Sequence, residues 1–221
     1  MKMSYILHIE TSTTNCSVSL SCENRLIDCI ESDSPNYSHS ENLHVFIDDI
    51  MNKNKLSFTQ LDACSISRGP GSYTGLRIGL SAAKGLCFGL DIPLISISSL
   101  KIIANSVNYN GLIIATMDAR RDEVYSCVFD GELNIIQDEK PEIITNTSFL
   151  DLAEKNKVLI IGDGQIKCKK LINNNKLTYN SEILRPSSKN MYNLAYDKFR
   201  KNDFEDIAYF EPKYLKEFRS N

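Results

Sequence analysis

The order of predicted elements repeats once along the chain, and that repeat limits the fold more than any single motif. Three short strands are expected at 5–9, 17–21 and 26–31, joined by polar turns. A helix over 40–52 follows, with Leu43, Phe46, Ile47, Ile50 and Met51 on one apolar stripe. A strand at 63–67, a glycine-rich helix, a strand at 94–98 and a helix over 99–107 complete the first half. The second half begins again with a nearly all-apolar strand at 112–117, then strands at 123–129 and 133–138 paired through Asp130-Gly131. After them come a helix near 148–156, a strand at 158–161, and helices near 165–172 and 188–201. The order β-β-β-α-β-α thus occurs twice. It predicts an α/β protein of two lobes, residues 1–107 and residues 108–221, the second shortened and carrying the C-terminal helix. A plain two-layer α/β domain is the simpler alternative.

Within the first half, residues 67–90 read SRGPGSYTGLRIGLSAAKGLCFGL. Gly69, Pro70 and Gly71 punctuate a tight turn, and Thr74 is placed to cap the helix behind it. Such a turn can cradle phosphate, because free backbone N–H groups and the helix dipole both favour an anion. The lysine and hydroxyl of a P-loop are missing, since Gly75 is followed by Leu76 and Arg77. Gly75, Gly79, Ala82 or Ala83, and Gly89 recur at three- or four-residue steps and leave one helix face almost without side chains. Each interior glycine costs about 1 kcal/mol relative to alanine. The stripe is therefore read first as a surface against which another backbone packs, and only second as a phosphate site.

At 221 residues the chain can bury roughly 70% of its unfolded surface. No apolar run approaches a membrane span, and the N-terminus enters a strand too early for a signal peptide. None of the seven cysteines stands in a CxxC spacing, and Cys16, Cys22, Cys29, Cys64 and Cys127 lie within apolar or alternating runs. That argues for a reducing, cytoplasmic setting without disulfides or zinc. A net charge of −3 gives no overall pull toward nucleic acid. The late basic residues (Lys167, Lys169, Lys170, Arg185, Lys189, Lys198, Arg200 and Lys201) are interleaved with acids and read as solvated helix faces. His39 and His44 are five apart, roughly 140° around a helix, which does not bring both to one metal. A helix cap at Ser38 or Ser40 is the plainer reading there, and His8 reads as a satisfied core histidine.

The doubled element order resembles the actin-like fold of sugar kinases, Hsp70 and actin. In that fold the first hairpin holds the metal–phosphate unit through an acid and hydroxyls, and a DxG turn of the second lobe approaches phosphate. Here the first hairpin carries Glu10-Thr11-Ser12-Thr13 and the second Asp118-Ala119-Arg120-Arg121-Asp122. Thr11, Ser12 and Asp118 are the candidates for nucleotide contact. Alanine and arginine stand where glycine is wanted, so no catalytic residue and no metal ligand is assigned. Gly162-Asp163-Gly164 reads either as a remnant of an adenosine-contacting turn or as a simple tight turn.

LHIETSTTNCSVSL at 7–20, HSENL at 39–43, SRGPGSYTGLRIGLSAAKGL at 67–86, MDARRDEVY at 117–125 and EPKYL at 211–215 together resemble the TsaB (YeaZ) family. The resemblance implies a cytoplasmic, non-catalytic subunit for threonylcarbamoylation of N6 of the adenosine beside the anticodon in ANN-decoding tRNAs. It would pair with and activate the paralogous transferase TsaD, together with the ATPase TsaE, with tRNA engaged indirectly and no membrane involved. It implies no cofactor of its own; ATP or ADP, where present, would sit at an interface of the complex. The implied dimer is a bundle of first-lobe helices, placing His39, Leu43, Phe46, Ile47, Ile50, Leu76, Arg77, Gly79, Leu80, Ala83 and Leu86 at the interface. A homodimer through the same helices is expected when TsaD is absent. On this reading Gly79→Leu or Ala83→Glu breaks pairing and leaves the chain folded. Glu10 stands where the family commonly has aspartate, and Arg121-Asp122 where an apolar–glycine pair is usual. The alternative is an actin-like ATP-dependent kinase or acyltransferase working through Thr11, Ser12 and Asp118.

Overall fold

A computed structural model describes residues 3–34 and 39–216. Two compact units divide the chain: residues 1–102 with 186–213, and residues 103–185 with 214–221.

The first unit opens with strands β1 (Tyr5–Glu10), β2 (Asn15–Cys22) and β3 (Arg25–Asp33), followed by helix α1 (His39–Lys53). Strand β4 (Leu61–Ser67), helix α2 (Tyr73–Leu90) and strand β5 (Leu94–Ile97) come next. Helix α3 (Ser99–Ala104) then leads out of this unit. The sheet order is β3-β2-β1-β4-β5. β1–β2 and β2–β3 are antiparallel, and β1–β4 and β4–β5 are parallel. The parallel joins need crossovers, which α1 and α2 supply. β1 sits at the centre and is buried almost throughout, as its unbroken YILHI run requires, whereas edge strand β3 is largely exposed.

Strand alternation gives this sheet two different faces. Leu7, Ile9, Val18, Leu20, Cys64 and Ile66 meet Leu43, Ile47 and Ile50 of α1 and Leu80, Ala83 and Cys87 of α2. Ile6, Ala63, Ile95 and Ile97 on the other face meet Met191 and Ala195. That second face also carries His8, buried between Ser65 (Nδ1–Oγ 2.7 Å) and Ser21 (Nε2–Oγ 2.8 Å), the satisfied core histidine expected. Burial pushes its pKa down to about 3, so the ring is neutral.

The second unit repeats the plan with β6 (Leu112–Asp118), β7 (Glu123–Phe129), β8 (Ile135–Ile143), α4 (Leu150–Lys155), β9 (Val158–Ile161), α5 (Gln165–Leu171) and β10 (Leu177–Tyr179). Its order β10-β9-β6-β7-β8 is the first sheet's order element for element, read from the other edge. Ile114, Val124, Val128, Val158 and Ile160 form its core with Phe149, Ala153 and Cys168.

Three expectations need correction. Helix α6 (Tyr192–Arg200) does not belong to the second lobe: residues 186–213 group with the first unit, where Met191 and Ala195 cover the sheet face that α1 and α2 leave open. The expected helix over 188–201 is a 3-10 turn at Ser188–Asn190 followed by α6. The turn after β7 is not a two-residue Asp130-Gly131 hairpin. Asp130 N–H reaches Asn134 O at 3.0 Å and Leu133 adopts φ +63°, so the loop is longer. Strand β10 also completes the second sheet, in a stretch to which the sequence assigned no element.

Candidate functional site

The glycine-rich turn and the β1–β2 turn pack directly on each other. Ser72 N–H donates to Ser12 O at 2.7 Å, and Thr11 Oγ1 donates to Gly75 O at 2.8 Å. A Cβ on Gly71 would lie 2.4 Å from Ser12 O, one on Gly75 2.1 Å from Thr11 O, and one on Gly79 2.2 Å from Thr11 Oγ1. Ser72, and not Thr74, caps α2, its hydroxyl accepting from Gly75 N–H at 3.2 Å. The N–H groups of Ser72 and Gly75, which could have met a phosphate, are thus engaged within the lobe. Ser72→Ala is expected to lower stability by about 1 kcal/mol, read from the urea midpoint.

Thr11 and Ser12 are fully buried in this contact, with Glu10 beside them. Glu10 Oε1 accepts from Ser12 N–H at 2.5 Å, while Oε2 has no partner. Burial pushes the Glu10 pKa up to about 7 against the opposing pull of Ser12 and Ser67.

In the second unit, Asp118 Oδ1 accepts from Lys167 Nζ at 2.8 Å and from Arg120 N–H at 2.6 Å, while its own N–H donates to Asp163 Oδ1. Arg120 (φ +67°) and Arg121 (φ +49°) both occupy the left-handed region that usually selects asparagine or glycine. Gly162, at φ +91°, approaches Thr116 O so closely that a Cβ would lie 1.9 Å away. The GDG segment is therefore a packing turn against β6.

Much of the expected interface lies inside the first lobe. His39, Leu43, Ile47, Ile50, Leu76, Gly79, Leu80 and Ala83 are buried, and His39 Nε2 donates to Thr13 O at 2.6 Å. The stripe Gly75–Gly79–Ala83 is buried and faces the β1–β2 turn and the lobe's own strands. Ser40 sits within α1 and does not cap it, and Ser38 lies outside the described residues. Phe46 is partly buried against the core.

What α1 and α2 do present is an open groove of about 820 Å³ between them. Ser40, His44, Ile47 and Asp48 line it from α1, Tyr73, Arg77, Ile78, Ser81, Gly85 and Leu86 from α2, and Phe58 lines it as well. The Arg77 guanidinium carbon lies 4.2 Å from the Tyr73 ring centroid, a cation–π contact. Gly85 and Gly89 have no atom near a would-be Cβ, so backbone is bared at the surface there. Val45 and Phe88 are 53% and 84% exposed. Phe88 and Gly85 were not singled out from the sequence, whereas Gly89, expected in the packing stripe, has open space beside it instead.

Comparison with known proteins bears on this arrangement. The sequence model of the TsaD family, tRNA N6-adenosine threonylcarbamoyltransferase, matches residues 35–219. The tRNA threonylcarbamoyladenosine biosynthesis protein TsaB of Haemophilus influenzae is 37% identical over 123 residues, 54% of this chain and 51% of that protein. Its namesake in Buchnera aphidicola subsp. Baizongia pistaciae is 30% identical over 197 residues, 86% of this chain and 87% of that one. The chain belongs to the TsaB (YeaZ) family. The solved structure of YeaZ from Pseudomonas aeruginosa superimposes with a TM-score of 0.84 at 25% identity, covering 96% of this chain and 100% of that one. The actin-like α/β fold is thereby shared across the TsaB family member and this chain. Among the described residues, no helix is long and apolar enough to cross a membrane.

Proposed function

We propose that this TsaB family member serves tRNA threonylcarbamoyladenosine biosynthesis as a non-catalytic subunit, pairing with and activating a TsaD-type transferase. The observation that carries the reading is the groove between α1 and α2. It combines apolar walls, a bared backbone at Gly85 and a mixed-charge rim of Asp48 and Arg77, the make-up of a protein-binding surface. TsaD is the fitting occupant because its family model extends over most of this chain, so two related folds can pair through equivalent helices in a pseudo-two-fold bundle. In this reading TsaE joins the pair, the target is N6 of the adenosine next to the anticodon, and a homodimer forms when TsaD is absent.

The engaged state of Thr11 and Ser12 supports assigning no catalysis to this subunit. A kinase or acyltransferase would need both hydroxyls open to nucleotide; here the Thr11 hydroxyl donates to Gly75 O, and the Ser12 hydroxyl is buried while its carbonyl accepts from Ser72 N–H. Co-expression with TsaD followed by mass measurement tests the pairing. Phe88→Glu and Gly85→Leu are each expected to abolish co-elution while leaving the melting temperature of the isolated chain near wild type. Normal co-elution of both variants would remove the groove from the interface.

A further inference from the structure

A cavity of about 320 Å³ in the second unit is lined by Gln165, Ile166, Lys169 and Lys170 of α5 and by Tyr179 and Leu184, among others. Two of these residues carry buried polar atoms without a partner, Gln165 Oε1 and Tyr179 OH. Gln165 is only 3% exposed, and its amide nitrogen donates to Asn180 O at 2.8 Å and Ile183 O at 3.0 Å. Those two carbonyls fix the orientation of the amide and leave Oε1 as the acceptor without a donor. A buried acceptor in that state has given up water without a replacement donor, which calls for a reason. Lys169 and Lys170 are exposed, make no ion pair among the described residues, and no carboxylate lines the cavity. Ile166 is 61% exposed.

The ligand that answers all of this must bring an N–H donor, a flat apolar body and a negative charge together. A simple anion would leave Gln165 and the aliphatic wall unused, and an apolar molecule would leave the lysines and both buried polar atoms unmet. We propose that this cavity binds a nucleotide bearing an amino-substituted base. The exocyclic amino group donates to Gln165 Oε1, Tyr179 OH donates to the adjoining ring nitrogen, and the base faces lie on Ile166 and Leu184. The phosphate meets Lys169 and Lys170. The volume is at the low end for small-ligand sites and admits one such unit, supplied as a free mononucleotide or as one residue of an RNA single strand.

The test is ¹⁵N-resolved NMR of the full chain, following the Gln165 side-chain amide, with AMP, adenosine, inorganic phosphate and a single-stranded oligoadenylate as separate probes. AMP is expected to shift that amide more tightly than adenosine does. Binding should weaken roughly tenfold in Lys169→Ala/Lys170→Ala, a surface change that leaves the fold intact, and severalfold in Tyr179→Phe. A shift with oligoadenylate alone, fading as salt rises, assigns the site to RNA. The proposal is overturned if neither AMP nor oligoadenylate moves the amide at millimolar concentration. It is equally overturned if inorganic phosphate alone reproduces the shift, or if the lysine variant binds as wild type does.

Discussion

Gly75→Ala is expected to unfold the first lobe or cost it about 3 kcal/mol or more, whereas Gly85→Ala in the same helix leaves it folded and slightly more stable. A methyl group on Gly75 would lie 2.1 Å from the carbonyl oxygen of Thr11. That oxygen belongs to the turn leaving central strand β1, so it cannot step aside without moving the strand or α2. Overpacking a core costs about 1–3 kcal/mol when side chains can adjust, and here backbone must move instead. Gly79→Leu and Ala83→Glu, which the sequence marks as interface-breaking changes, act in the same way. Gly79 faces Thr11 Oγ1 and Ile66, and Ala83 is fully buried, so both should damage the lobe itself. Gly85 has open space, and replacing it gains about 1 kcal/mol of helix propensity. Urea titration of the two alanine variants measures the contrast. A wild-type midpoint for Gly75→Ala would mean that the two turns are not in contact.

The same helix shows how far the sequence could be read. Small residues at short intervals revealed that α2 packs tightly against something, but periodicity does not say what lies opposite. Gly85 is roughly 80° around the axis from Gly75, enough to turn one inward onto the β1–β2 turn and the other out to the groove. The strands of both sheets were legible because central ones such as β1 and β6 are continuous apolar runs. Strand β10 was not: only Leu177 of its three residues is buried, leaving no alternation to detect. The placement of α6 was hidden because its partners, Ile95 and Ile97, are distant in the chain, and amphipathic pattern carries no address.

Stability is expected to depend on pH through two buried groups of opposite sign, and Glu10→Gln should raise it by about 3 kcal/mol above pH 7. The Glu10 carboxyl rises from 4.5 to about 7 on folding. Below 4.5 it is protonated in both states and its burial carries no ionisation penalty. As pH rises toward 7 only the unfolded chain loses the proton freely, so stability falls and then levels off. His8 drops from 6.5 to about 3. Above 6.5 it is neutral in both states, and as pH falls below that value only the unfolded chain gains the proton, so stability falls with acid. Between about 4.5 and 6.5 the two slopes oppose each other, and these groups give the wild-type chain a flat profile there. Glu10→Gln removes one slope. Its stability should climb steadily up to about pH 6.5 and then hold, with the gap over wild type widest at pH 8 and nearly closed at pH 4.5. Chemical denaturation across this range decides the matter, and parallel profiles for the two proteins would show that Glu10 is not the group responsible.

The return of residues 186–213 to the first unit has a consequence during synthesis. A ribosome releases Ile6, Ala63, Ile95 and Ile97 long before Met191 and Ala195 emerge to cover them. All the strands of the second unit, which lie within residues 103–185, are translated in the interval, so its sheet can close first. The earliest part of the message therefore encodes the lobe that matures last, and its uncovered sheet face is where a nascent-chain chaperone would have most to shield.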